Sequence, residues 1–147
     1  MTATVFNIAK GKVAYYAGLP AANDAIIAIP LETSGLESDA TLQDYDNVSA
    51  LLAGATNEQS TMGRKTAASV TVTVDDTNNR VDVDCADITW TAATGNAVSR
   101  LLFCYDPDTT GGSDTDLIPL VVDDFVATPA GGDITYQVAA SGFFRAS

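Results

Sequence analysis

Apolar and polar residues alternate along the second half of the chain, and this period of two constrains the fold more than any other feature of the sequence. Alanine and valine alternate with serine and threonine over residues 68–74, and valine alternates with aspartate over residues 81–84. A string of turn-forming residues, 75–79, separates the two runs. Such strands present one face to a core and the other to solvent. The sequence therefore predicts a β-hairpin whose valines are buried and whose threonines and aspartates are exposed.

Further short strands are predicted on both sides of this hairpin. Residues 101–105 are continuously apolar, which is typical of a central strand covered on both faces. Residues 88–91 and 134–138 alternate again, while residues 25–31 and 117–122 are short apolar runs. Short strands separated by turn signals favour a sandwich or a small barrel.

One helix is expected in the N-terminal half, over residues 39–53. Tyr45, Val48 and Leu52 recur at helical spacing and form an apolar stripe. Thr41 and Asp44 have the spacing of a capping pair, and Gly54 is a natural stop.

The predicted fold is mainly β: an antiparallel β-sandwich or small barrel with one short helix in the N-terminal half. The chain has 147 residues, which fits one domain. We expect an N-terminal arm or hairpin over residues 1–22 and a single β-rich domain over residues 23–147. The two cysteines, Cys85 and Cys104, lie in strand-like contexts and are expected to be buried free thiols.

The charge balance excludes several classes of partner. Acidic residues number 19 against 7 basic ones, which gives a formal net charge of −12. A surface this negative repels phosphate, so neither nucleic acid nor an anionic membrane is expected as a partner. No apolar run approaches the ~20 residues that span a bilayer, and the first ten residues lack the pattern of a secretory signal.

The residue types needed for most enzymatic mechanisms are missing from the sequence. There is no histidine, which excludes a Ser-His-Asp triad and a His-ligated zinc site. The carboxylate pairs Asp75/Asp76 and Asp123/Asp124 are sequence neighbours, whose side chains point to opposite faces of a strand. They are interpreted as solvated turns and strand ends. The chain is therefore expected to be neither an enzyme nor the carrier of a cofactor.

The loop over residues 106–116 is a weak candidate for binding Ca²⁺. Asp106, Asp108, Thr110 and Asp114 match part of the calcium-loop spacing and could supply hard oxygen ligands. Position 12 of the pattern is Leu117 instead of a bidentate glutamate. A polar surface loop without a tight metal site is the favoured interpretation.

Several stretches together resemble a family of structural proteins encoded beside the major capsid protein of tailed bacteriophages. These stretches are residues 87–90, 105–120, 124–129, 131–135 and 142–145. The family is that of capsid decoration (cement) proteins, and the resemblance runs from about residue 23 to the C-terminus. It implies a virion protein made in the host cytoplasm and bound to the outer surface of the head. It also implies two partners: the major capsid protein, and other copies of the chain in a trimer more readily than a dimer.

The N-terminal segment is the expected docking arm of such a protein. It carries Lys10 and Lys12 without an acidic residue, together with Phe6, Tyr15 and Tyr16. A basic, apolar arm on an acidic body could reach an acidic patch of a shell, and aromatic residues are common interface anchors. The alternative is a phage tail or fibre protein, or an adhesin-type β-sandwich binding module, since fold alone does not separate these roles.

Overall fold

A computed structural model describes residues 3–147, and most of the regular structure in that range is β-strand. The strands are β1 (Thr4–Val5), β2 (Ala25–Glu32), β3 (Lys65–Thr66), β4 (Thr71–Asp75), β5 (Arg80–Asp84), β6 (Ile88–Trp90), β7 (Val98–Asp106), β8 (Ile118–Ala127), β9 (Ile134–Tyr136) and β10 (Phe144–Ala146). The helices are α1 (Val13–Ala17), α2 (Asp39–Leu42) and α3 (Val48–Ala53), with a 3₁₀ turn at Asn7–Ala9. The predicted mainly β fold is confirmed, with three short helices where one was expected.

The strands form three antiparallel sheets. A central sheet has the order β1-β8-β7-β2-β3, a second has the order β10-β5-β4, and the third pairs β6 with β9. The predicted central strand is confirmed, because β7 lies in the middle of the largest sheet and its residues 101–104 are fully buried. Every peptide group of such a strand can pair with a neighbour, and both faces can lie against apolar layers.

The two faces of the central sheet carry separate cores. Alternate residues of β2 and β7 divide between them: Ile26 and Phe103 pack into one cluster, Ile27 and Leu102 into the other. The first cluster lies under the two small sheets and the second lies under α2 and α3. The packing of the small sheets onto the central sheet is the sandwich-like part of the fold.

The prediction of one continuous helix over residues 39–53 is wrong. Two helices occupy this range, and each has its own N-cap: Ser38 accepts from the Thr41 amide, and Asn47 accepts from the Ala50 amide. Asn47 satisfies the first turn of α3 from an extended conformation, so the helix restarts there. The expected Thr41/Asp44 capping pair does not form, while Gly54 does terminate α3.

The hairpin predicted from the alternation is confirmed, but its predicted burial is wrong for the first strand. β4 pairs with β5 in continuous register, with Val72 opposite Val83. Val83 is fully buried, whereas Val72 is 37% exposed and Val74 is 66% exposed. The apolar face of the hairpin therefore rests on the core at one end and extends beyond it at the other.

Residues 3–22 do not form the arm or hairpin expected of the N-terminal segment; Met1 and Thr2 lie outside the described residues. β1 pairs with β8 at the edge of the central sheet. The following 3₁₀ turn and α1 bury Ala9, Val13 and Ala17 in the core beneath the small sheets. This segment is thus part of the same packed unit as the rest of the chain. Within residues 3–147, no helix has the length and apolar character needed to cross a membrane.

Candidate docking surface

The five residues predicted to dock the chain on a partner separate into exposed and buried groups. Lys10, Lys12 and Tyr15 are exposed, with 63% of the Tyr15 surface accessible. Tyr16 is half-buried and Phe6 is completely buried. A side chain without accessible surface cannot contact a partner, so the prediction is wrong for Phe6. We call Lys10, Lys12 and Tyr15 the basic docking surface.

Phe6 is buried because it joins the N-terminal strand to the helical layer. Its amide donates to the Leu120 carbonyl at 3.1 Å, and the next amide, Asn7, donates to the Gln43 carbonyl at 2.8 Å. The ring packs in the cluster that contains Leu42 and Val48. An aromatic residue near the N-terminus is thus a core residue when helices distant in sequence cover it.

Lys10 and Lys12 differ from the arginines in having no acidic partner. Every arginine of the chain forms ion pairs: Arg64 with Glu58 and Asp114, Arg80 with Asp75 and Asp82, Arg100 with Asp39 and Asp124, and Arg145 with Asp82. Over residues 3–147, neither lysine of the docking surface lies within ion-pair distance of a carboxylate. On a body of net charge −12, these lysines form a site of uncompensated positive charge.

A row of tyrosines fixes α1 against the central sheet. Tyr15 and Tyr16 lie edge to face with ring centroids 5.5 Å apart, and Tyr16 lies 5.5 Å from Tyr105 of β7. The Tyr105 hydroxyl donates to Asp24 Oδ2 at 2.8 Å. Burial, followed by this bond to Asp24, raises the pKa of Tyr105 to about 12. Tyr16 therefore supports the surface from beneath, and Tyr15 is its exposed aromatic ring.

Tyr105 and Asp24 support this surface, and no motif in the sequence predicts that role. A bond from the Ala21 amide to Asp24, and then the bond from Tyr105, hold the pKa of the Asp24 carboxyl below its usual range. The carboxylate is thus ionised at neutral pH and accepts the hydrogen bond from the Tyr105 hydroxyl. Tyr105 was identified as part of an apolar strand, and its partner lies 81 residues away in sequence, so no local pattern connects the two.

Three of the four candidate calcium ligands, Asp106, Asp108 and Asp114, line one surface pocket beside Arg64, but they do not form a group that could hold a metal ion. Asp106 Oδ1 accepts from the Asp108 amide at 3.0 Å, and Asp108 Oδ1 accepts from the Thr110 amide and hydroxyl at 3.0 and 2.7 Å. Asp114 instead faces Arg64, with Nη1 of the arginine 2.6 Å from Oδ1. Nowhere in residues 3–147 do three acidic or cysteine side chains gather in a way that could hold a metal ion. These carboxylates shape a turn and an ion pair.

Asp123 is the buried polar group that sequence reasoning misinterpreted. It was expected at a solvated strand end, yet it is fully buried in β8. Its Oδ2 accepts from the Tyr136 hydroxyl at 2.5 Å, and its Oδ1 accepts from the Asp124 amide at 2.9 Å. Burial and this partner raise the pKa of the Tyr136 hydroxyl. The pair joins β8 to β9 within the buried core.

Both cysteines are buried and free, as predicted. Burial raises the pKa of the Cys85 thiol to about 12 and raises that of Cys104 as well. Thiols held in the protonated form are poor nucleophiles.

Comparisons of the chain with family models, with curated proteins and with solved structures find no match. The basic docking surface is therefore interpreted from its own chemistry.

Proposed function

We propose that this chain is a non-enzymatic structural protein of a tailed-phage virion. In this role it is a decoration subunit that binds the outer surface of the head as a homo-oligomer, contacts the major capsid protein and stabilises the shell.

The observation that carries the proposal is the resemblance of the chain, from about residue 23 to the C-terminus, to capsid decoration proteins. The resembling stretches supply Trp90, Phe125 and Phe143 to one core cluster, which also contains Phe103 of β7. Trp90 stacks on Phe125 at 5.5 Å, and Phe143 stacks on Phe103 at 4.3 Å. A protein whose role is to brace a shell needs a rigid body more than a reactive site, and stacked aromatic residues add to the burial of the core.

The charge distribution supports an exterior position on the head. A chain of net charge −12 is repelled by packaged DNA. Lys10, Lys12 and Tyr15 are exposed within six residues of sequence, and neither lysine forms an ion pair within residues 3–147. This combination suits an acidic patch on a partner surface. Charge complementarity of this kind guides the encounter, while a buried aromatic anchor slows dissociation.

The test adds the purified protein to phage heads that have been stripped of it. The full chain should bind to saturation at a fixed ratio to the coat protein and raise the temperature at which the heads break. Lys12→Glu should weaken binding at least tenfold, because it places a negative charge on the docking surface. Lys65→Glu is the matched control, since Lys65 is also unpaired within residues 3–147 and lies on β3.

Two outcomes contradict this proposal. Failure of the full chain to bind heads, or labelling of tail tips instead, rejects decoration and favours the tail or adhesin alternative. Equal loss of binding in Lys12→Glu and Lys65→Glu rejects the basic docking surface while leaving decoration in place.

A further inference from the structure

β4 is an open edge of the second sheet. It pairs with β5 on one side, and none of the described residues pairs with it on the other. Residues 71–74 are all exposed. Exposed edges in natural proteins usually carry lysine, proline or a bulge that prevents pairing with another chain. β4 has none of these: its register with β5 is continuous, and residues 66–74 are uncharged.

The other sheet edges in residues 3–147 are shorter or protected. β1 and β3 have two residues each, and β3 carries Lys65. β10 has three residues and carries Arg145. β6 and β9 also have three residues each. At five residues, β4 is the longest of the strands that end a sheet in this part of the chain.

The side chains of β4 add an uncovered apolar face to this edge. Opposite residues of an antiparallel pair share a face, so Val72 and Val74 lie on the same face as Val83 and Val81. Val83 is buried against the core, but Val74 is 66% exposed. Beyond the core, this face continues through Ala146 of β10, which is paired with Val81 and exposed. The uncovered end therefore combines free backbone groups with apolar surface.

We propose that a second copy of this chain pairs with β4 along this edge. The two β4 strands run antiparallel about a two-fold axis at Thr73 and join two three-stranded sheets into one of six strands. This inference rests on the self-association in the proposed function and names its interface. Pairing of this kind is isologous and closes with two copies, so it gives a dimer instead of the trimer that the resemblance favours.

The sequence of β4 is complementary to itself in this register. Thr73 lies opposite its own counterpart, and Val72 lies opposite Val74 of the second copy. Asp75, the one charged residue of β4, lies opposite Thr71 of the second copy, so no like charges face each other directly. The uncovered apolar faces of the two copies become continuous. Between two bodies of net charge −12, an uncharged edge is where close approach is least opposed.

The small size of the contact predicts a weak dimer. Stable interfaces usually bury about 1,200–2,000 Å² in total, and one pair of five-residue strands with its flanking valines lies below that range. The dimer should therefore dissociate on dilution.

The first test measures the mass of the full chain in solution over a range of concentrations by sedimentation. The wild type should pass from the 15.2 kDa monomer to twice that mass as concentration rises. Thr73→Glu places two negative charges face to face at the axis and should remain monomeric. Thr94→Glu makes the same charge change at an exposed loop residue and should dimerise like the wild type. Circular dichroism checks that each variant is folded.

The second test uses disulfide cross-linking and does not depend on the stability of Thr73→Glu. Directly opposite residues have Cα atoms about 4.5–5.5 Å apart, which is within the range of a disulfide. Thr73→Cys should therefore cross-link two copies under mild oxidation, since both native thiols are buried. Thr71→Cys should not, because the two copies of that residue would lie about 13 Å apart, four residues along the paired strand.

A wild type that stays monomeric at its highest soluble concentration overturns the proposal. So does a trimer, a dimer that persists in Thr73→Glu, or equal cross-linking of Thr73→Cys and Thr71→Cys. Head binding is measured separately. A chain that coats heads without forming this dimer rejects the β4 interface alone, and a dimer that ignores heads rejects the decoration role alone.

Discussion

At the scale of single residues, Arg64 connects two loops that the sequence separates widely. Its Nε and Nη2 donate to Glu58 at 2.8 and 2.7 Å, and its Nη1 and Nη2 donate to Asp114 at 2.6 and 3.0 Å. Such two-pronged bonds to carboxylates are the strongest that arginine forms. Bonds to Glu58 and then to Asp114 raise the pKa of the Arg64 guanidinium. The loop over residues 106–116, the weak candidate for Ca²⁺ binding, is thus held by the guanidinium of Arg64.

The Arg64–Asp114 pair predicts a pH-dependent part of the stability. The bond from Arg64 holds the pKa of Asp114 below its ordinary value of 3.8. The stabilisation is therefore complete above that value and is lost as the pH falls through the lower pKa of the folded state. Asp114→Asn should reduce the free energy of unfolding by about 1 kcal/mol at neutral pH. The difference from the wild type should shrink below about pH 4.

Denaturant unfolding at neutral and acidic pH measures this difference. Asp76→Asn is the control, because Asp76 is exposed and forms no ion pair within residues 3–147. It should leave the free energy of unfolding unchanged at both pH values. A gap for Asp114→Asn that stays constant into acid would show that the ion pair is not its cause.

The burial of some side chains could be predicted from the residues around them in sequence, and the burial of others could not. The burial of Cys104 follows from its apolar neighbours in sequence, and that of Cys85 from its place in the alternation after Val81 and Val83. The burial of Asp123 does not, because its partner Tyr136 belongs to another sheet. The prediction that Phe6 lies at an interface is wrong because aromatic residues are common in interfaces and in cores alike. Which of the two applies depends on α2 and α3, whose arrangement no local pattern specifies.

At the scale of elements, the alternation in the hairpin predicts which residues share a face. It does not predict whether another part of the fold covers that face. A period of two shows that Val72, Val74, Val81 and Val83 share a face. Whether that face touches a core depends on where the hairpin lies on the central sheet. The structure places its β5 side over the core and leaves much of β4 outside. Hence the pairing was predictable and the exposure of β4 was not.

Substitutions across one rung of the hairpin should show this asymmetry. Val83→Ala removes two buried methyl groups and should reduce the free energy of unfolding by about 2 kcal/mol. Val72→Ala, at the paired position on β4, should cost less than about 1 kcal/mol, because Val72 is partly exposed. Urea unfolding of the monomer measures both. Equal costs would mean that β4 is covered as closely as β5.

The helical range shows a second limit of periodicity. The predicted stripe of Tyr45, Val48 and Leu52, with Leu51 beside it, is confirmed from Val48 onward, where Val48 and Leu51 are buried in α3, but Tyr45 lies before that helix. The same spacing also predicts helix over residues 43–47. In the structure, α2 ends at Leu42 and Asn47 caps the separate helix α3. Capping residues compete with helix interiors for the backbone, so two short helices with their own caps replace one long one.

At the scale of the whole molecule, charge is distributed unevenly between the body and its contact surfaces. The body has a net charge of −12 and its arginines are paired with carboxylates, whereas the exposed Lys10 and Lys12 form no ion pair within residues 3–147. β4 carries no charge before Asp75. Repulsion between bodies would therefore oppose the proposed dimer, whereas attraction to an acidic surface would assist the proposed binding to heads.

Salt should affect the two contacts in opposite directions. The Debye length falls from about 30 Å at 0.01 M to about 3 Å at 1 M ionic strength. Raising sodium chloride over this range should tighten the β4 dimer, as measured by sedimentation. It should weaken binding to heads, as measured by co-pelleting. The sedimentation mass of Thr73→Glu should change little with salt, because this variant is expected to remain monomeric. A dimer that weakens with salt would mean that ion pairs hold it.

The pairing of β2 with β7 has a consequence for folding during synthesis. β2 is buried along its length apart from Glu32, yet Ala25 pairs with Asp106, more than half the chain length away. When β2 leaves the ribosome, its principal partner has not been made, and its apolar side chains lack their cover. Contacts between such distant segments slow folding, and unpaired apolar strands are prone to aggregate. We expect the nascent chain to depend on a chaperone until β7 and β8 have emerged.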